Sequence, residues 1–269
     1  MSEAIVSAHA FLAIVRRDLY VFMSYRTRLL TQVASTLFSL TLFYYVSRLV
    51  HVQGFGSPNQ YYAFVVVGIS ILSIIYSCFM TSALVRQELV AGTLERLILS
   101  PFGAVRSIIA ATLFPLAYSF LLATISLALA CVIFSLQLHW STVPLSIPVI
   151  GLALLAFAPF GLLFAALTIV VKQDNVGATW VIAILSLIGG LYFPVSLLPH
   201  WAQVAGKLQP FTPATNVLRH LLVSSPLTEP LGMSLLKLAA FAIVLLPTSI
   251  FALSAAVRTG QRRGTIIEY

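Results

Sequence analysis

The chain has 269 residues, of which 60% are hydrophobic and 8% charged, whereas a soluble domain carries about 25% charged residues. With a mean hydropathy of +1.02, this composition excludes a soluble globular enzyme, a disordered chain and a nucleic-acid binder built on a basic patch. The net charge of +8 reads instead as topological information, and the unit to count is the membrane span, about 20 apolar residues for a hydrocarbon core of ~30 Å.

In chain order, Phe11, Val15, Leu19 and Phe22 recur at helical spacing beside Arg16 and Arg17. Residues 1–28 are expected to form an amphipathic helix at the cytoplasmic interface, its arginines near anionic headgroups. The first long apolar run begins behind four arginines, too late for a cleaved signal peptide. Six apolar runs follow, at about 29–47, 61–84, 108–136, 145–171, 176–193 and 235–257. None alternates with period 2, so the expected fold is an all-α polytopic membrane protein with six transmembrane helices, not a barrel.

The connections are mostly short. Gly54, Gly56 and Pro58 mark a turn in 50–60, and His139 and Trp140 are expected at the outer interface. Pro115, Pro159 and Pro247 fall within or near spans, where neighbouring helices can satisfy the freed backbone groups. The segment 194–234 is too long for a turn and too apolar for a solvated loop. Pro194, Pro199, Pro210 and Pro213 divide it, leaving short helices near 200–208 and 214–223. This pattern predicts a re-entrant helical hairpin dipping into the outer leaflet.

Charges sort by side. Arg16, Arg17, Arg26, Arg28, Arg86, Arg96, Arg106, Lys172, Arg258, Arg262 and Arg263 fall on one side, 11 in all, and Arg48, Lys207, Arg219 and Lys237 on the other, 4 in all. The excess places both termini in the cytoplasm.

The chemistry of the spans is sparse. Their cores hold no Asp, Glu, Lys or Arg, which argues against an ion-coupled transporter or an ion channel. His9, His51, His139, His200 and His220 lack metal-site spacing, and Cys78 and Cys131 sit in apolar runs as small hydrophobes. No paired carboxylates or Ser/His/Asp order supports an intramembrane enzyme. The chain also lacks G-x-x-x-x-G-K-[ST], so ATP energy has to come from another subunit.

One cytoplasmic segment, 86–106, stands apart. On a continuous helix Glu88, Gly92, Glu95 and Leu99 would share a face, with Leu94, Leu97 and Ile98 on an apolar stripe, until Pro101 stops it. That division suits a short helix held at the membrane and docking onto a soluble partner; a solvated, salt-bridged loop helix is the other reading.

The run Gln87-Glu88-Leu89-Val90-Ala91-Gly92-Thr93-Leu94-Glu95-Arg96-Leu97, followed by Ser100-Pro101, resembles the cytoplasmic loop of type-2 (exporter-type) ABC transporter permeases. Tyr192-Phe193-Pro194-Val195-Ser196-Leu197-Leu198-Pro199, then Trp201, Pro210, Thr212, Asn216, Val217, Leu218 and Arg219, resembles the outer segment of the same family. The similarity spans essentially the whole chain, 1–269, as one permease domain. It implies a transmembrane subunit that dimerises, with a second copy or a sibling permease, and carries two copies of a separate ABC ATPase.

No cofactor is then expected on this chain, since MgATP would bind the ATPase. Glu88, Gly92, Thr93, Leu94, Glu95 and Arg96 would form the coupling helix that docks in the ATPase, and the outer segment would cap the exit. The resemblance puts the first and fifth spans at the dimer interface, where Phe38, Phe43, Tyr44 and Tyr45 are candidates to line the pathway. The implied function is export of an amphipathic or hydrophobic substrate, a drug, lipid or glycolipid, across a cell (inner) membrane, with membrane lipid but no nucleic acid as partner. Export of a lipid-linked polysaccharide is the alternative, followed by a stand-alone polytopic assembly factor or enzyme.

Overall fold

The computed structural model describes residues 3–24, 26–50, 55–171 and 176–263; His51, Gly54 and Lys172 lie outside them. Among the described residues the chain is helical and contains no strand. The helices are α1 (Glu3–Ser24), α2 (Arg26–Leu49), α3 (Pro58–Val90), α4 (Leu94–Leu99), α5 (Ala104–Phe134), α6 (Val143–Val171), α7 (Val176–Ile188), α8 (His200–Lys207), α9 (Phe211–Val223) and α10 (Leu231–Arg263).

Five of them, α2, α3, α5, α6 and α10, carry stretches long and apolar enough to cross a membrane. The expected fifth span is shorter than its hydropathy indicates. α7 has 13 residues, about 20 Å at 1.5 Å per residue, and the chain then turns at Gly189–Gly190. Pro194 onward does not continue the helix but enters a 3-10 turn, Val195–Leu197. Two of the expected proline breaks are seen directly, Pro199 before α8 and Pro210 before α9. Pro213 does not divide the segment but lies in the first turn of α9, where a missing N–H is tolerated. Pro115, Pro159 and Pro247 sit inside α5, α6 and α10 without ending them.

α3 is the axis of the bundle, with 72% of its apolar window buried against 6% for α2. Pro58 in the first turn and Ser57, whose side chain accepts from the Gln60 N–H, begin it, satisfying an otherwise orphaned donor. A central apolar cluster joins α3 and α6 to α7 and α9, including Ile74, Phe79, Phe157, Ile182, Phe211 and Leu218. A second cluster, at the end carrying α1 and the C-terminal end of α10, contains Leu89, Leu94, Ala104, Ile108, Ala165, Leu253 and Val257. The opposite end is called distal below; it carries the starts of α3, α6 and α10 and the end of α5.

α1 lies against α5. Phe22 meets the rings of Phe114 and Tyr118 at 5.6 and 4.9 Å, and Phe11 and Val15 are half-buried while Leu19, Arg16 and Arg17 stay exposed. Arg16 donates to the Tyr20 hydroxyl and Arg17 pairs with Asp18 at 2.9 Å. Of the expected apolar stripe, Phe11, Val15 and Phe22 are half-buried, whereas Leu19 is exposed.

Candidate functional site

Two regions gather the residues singled out in the sequence. The first is the turn between α3 and α5. Residues 86–99 do not form one helix: α3 ends at Val90, and Gly92 adopts φ +67°. That left-handed conformation is strained for a residue with a Cβ. Glu88, Gly92, Glu95 and Leu99 consequently do not share a helical face. The Thr93 N–H and hydroxyl both return to Glu88, the first to its carbonyl at 3.0 Å and the second to its carboxylate. Glu88 therefore closes the turn from inside, while Glu95 is half-buried on the following α4.

α4 has two sides. Leu94 is 1% exposed and packs with α3, α5, α6 and α10 residues, backed by Leu97 and Ile98. Leu99 is 85% exposed, and Arg96 and Val90 also face outward. α4 thus has an apolar anchor on one side, in a cluster shared with α3, α5, α6 and α10, and an exposed Leu–Arg surface on the other. Because Gly92 has open space around a built Cβ, Gly92→Ala is expected to cost only its backbone strain, about 1 kcal/mol. A thermal melt of the variant in detergent checks this; a larger loss would mean that the turn is packed as well as strained.

The second region is the distal segment after α7. α9 is buried on nearly every side, with Phe211, Ala214, Thr215 and Val217 fully enclosed. Its Arg219, expected as an outer-side charge, is 2% exposed. The guanidinium donates to three carbonyls: Phe64 O at 3.0 Å through Nε, Gly190 O at 2.9 Å through Nη1 and Leu191 O at 2.8 Å through Nη2. It also stands 3.2 Å from the Phe64 ring centre. One side chain thus ties α9 to α3 and to the turn that ends α7.

Gly68 makes room for that turn, because a Cβ there would lie 1.9 Å from Leu191 O. Gly68 is ten residues into α3, about 15 Å along the axis from its distal start. The end of α7 and the fork of Arg219 therefore lie deep within the bundle.

The distal loop is fastened to the same helix. His139 N–H donates to Leu222 O at 3.0 Å, the Thr142 hydroxyl to Leu221 O, and Ser224 Oγ meets His139 Nδ1 at 2.9 Å. Asn216 donates to the Thr228 hydroxyl at 2.9 Å, and Trp140 and Trp201 are exposed. Between these pieces lies a cavity of about 930 Å³, reaching Pro194, Asn216 and Arg219 on one wall and Asn59, Gln60 and Tyr62 on another.

The four aromatics of α2 do not form one surface. Phe43 stacks on Tyr192 at 5.8 Å and Tyr44 contacts Tyr62 and Phe134 at 5.4 and 4.8 Å, whereas Phe38 and Tyr45 are exposed.

The burial of Arg219 and the close-approach glycines were not foreseen from the sequence. Gly161 of α6 is as close as Gly68, with a built Cβ 1.9 Å from Cys78 O of α3. A signal existed for it, since Gly161 and Ala165 are small residues four apart in an apolar helix.

This architecture, long apolar helices with a buried-anchor turn at one end and a folded-back hairpin at the other, accords with one comparison. The family model of the ABC-2 type transporter matches residues 9–223, well over half the chain. The chain belongs to the ABC-2 type transporter family. It is a multi-pass membrane protein and a permease component of an ABC transporter, not a catalytic domain, and ABC-2 permeases generally partner an ABC ATPase subunit. No curated protein matches the chain. The match covers α4, α7 and the α8–α9 hairpin as well as the first four spans.

Proposed function

We propose that this permease is the membrane half of an ATP-driven exporter for an amphipathic or hydrophobic substrate. It works as a pair, with itself or a sibling permease, on two ATPase subunits that carry MgATP, in a cell (inner) membrane with both termini cytoplasmic. The orientation rests on the 11 to 4 division of Lys and Arg. That division sharpens on burial, because Arg219 is enclosed and leaves only Arg48, Lys207 and Lys237 as distal surface cations.

The observation that carries the coupling role is the two-sided α4. Leu94 is locked into the cluster shared by α3, α5, α6 and α10, while Leu99 and Arg96 stand free to meet a partner. A push on the exposed side is transmitted to four long helices without an intervening flexible linker. Closure of the ATPases on nucleotide would shift the pair between inward- and outward-open populations by acting on α4 as a lever. Glu95, with Arg96, is a candidate to set the charge pattern of the docking surface. Glu88, Gly92 and Thr93 shape the turn that presents it.

In reconstituted complexes, Leu99→Ala and Glu95→Lys are expected to lower permease-dependent ATP hydrolysis and export about tenfold, the effect of one lost interface anchor or a reversed charge. The melting temperature of Leu99→Ala should stay at the wild-type value, because that side chain is exposed, and that of the half-buried Glu95→Lys should change little. Full coupling in both variants would remove α4 from the ATPase interface.

A further inference from the structure

The distal cavity carries more positive charge than its walls neutralise. Lys207, Arg219, Lys237 and Glu229 all line it. Glu229 is taken by Lys237 at 2.5 Å, so three cations face one carboxylate that is already paired. Lys207, in the last turn of α8, is exposed and has no ion-pair partner among the described residues. Arg219 has five N–H donors by its chemistry, and its carbonyl partners occupy three. No carboxylate among the described residues pairs with it.

A buried cation without a counter-charge is costly, and the carbonyls offset only part of that cost. A further unmet group belongs to a residue of the facing wall: the Tyr62 hydroxyl is buried and has no hydrogen-bond partner. The cavity volume of about 930 Å³ suits a group of drug or headgroup size. Phe55, Phe64 and Phe134 give the same space an apolar flank.

We propose that this cavity is a binding site for an anionic group, a phosphate or carboxylate, borne on an amphiphile. Lys207 supplies the accessible charge, Arg219 the buried one with its spare N–H groups, and the Tyr62 hydroxyl a donor; the aromatic flank takes the first apolar atoms beyond the head. This assigns the chemistry of the head of an exported molecule and rests on the export reading only in calling that molecule cargo.

The test uses the purified full chain in neutral detergent, with no ATPase. Dioctanoyl phosphatidate, dioctanoylglycerol and inorganic phosphate are titrated calorimetrically, in parallel with thermal unfolding. Phosphatidate should bind saturably and dioctanoylglycerol should not. Lys207→Glu should weaken phosphatidate at least tenfold and Tyr62→Phe several-fold, with the melt of unliganded Lys207→Glu unchanged because that side chain is exposed. Displacement of phosphatidate by inorganic phosphate would place recognition in the anion alone; binding of phosphatidate without such displacement would require the anion and its apolar body together. Either outcome supports the site.

Equal binding of dioctanoylglycerol, or phosphatidate binding untouched by Lys207→Glu, would overturn it. A chain that fails this test yet still stimulates its ATPase through α4 keeps the export reading and loses only the site.

Discussion

Arg219→Ala is expected to unseat the distal hairpin and abolish transport while leaving the chain inserted. The guanidinium bonds α9 both to α3, through Phe64 O, and to the end of α7, through Gly190 O and Leu191 O. A hydrogen bond to a charged group contributes about 1.5–3 kcal/mol. The three are not additive, and alanine also removes the cost of burying the cation, so the net loss is about 3–5 kcal/mol.

Alanine further strands the carbonyls of Phe64, Gly190 and Leu191, all of them buried residues. Arg219→Lys should recover only a fraction, because an ammonium is a point donor and cannot span three acceptors set for a planar fork. Protease susceptibility between Gly190 and Thr228, read beside the thermal melt, would show a loosened hairpin in Arg219→Ala. Wild-type melting, protection and transport in that variant would remove the clamp.

A second large effect is expected where α6 crosses α3. At Gly161 a Cβ would stand 1.9 Å from Cys78 O and 2.8 Å from Cys78 C, and backbone cannot swing aside as a flexible side chain can. Gly161→Ala must therefore push α6 from the bundle axis, loosening the central cluster that holds Phe79, Phe157 and Phe211. A cost of about 2–4 kcal/mol follows from overpacking of this kind, and transport falls with it. Gly151 provides the control. It lies on the same helix, and a Cβ there meets nothing within 4 Å. Gly151→Ala should be neutral or stabilising by about 0.5–1 kcal/mol, the helix-propensity difference. Comparing the two melts separates close packing from propensity; equal effects would refute the close approach.

Much of this protein was determined by sequence alone, where local composition suffices. Apolar run length identified the five long spans, because transfer into hydrocarbon depends on summed side-chain polarity and hardly on which neighbour is met. Prolines set the segmentation of 194–234, since a missing N–H and a fixed φ act within one turn wherever the chain goes. The turn after α3 was legible as a distinct segment. Its division at Gly92 was not, because a glycine in a helical pattern can either continue the helix or end it, and packing of Leu94 into the α3–α5–α6–α10 junction decides.

Only the tertiary structure shortened α7: the apolar run 176–193 could have spanned, but the Gly190–Leu191 turn finds its carbonyl partner in Arg219 and its space at Gly68. The same is true of Arg219 itself. Counted along the chain it is one more outer-side cation, and the acceptor that changes its meaning, Phe64 O, lies 155 residues away. Hydropathy reports what a residue costs to bury; which distant carbonyls offset that cost is a property of the assembled bundle.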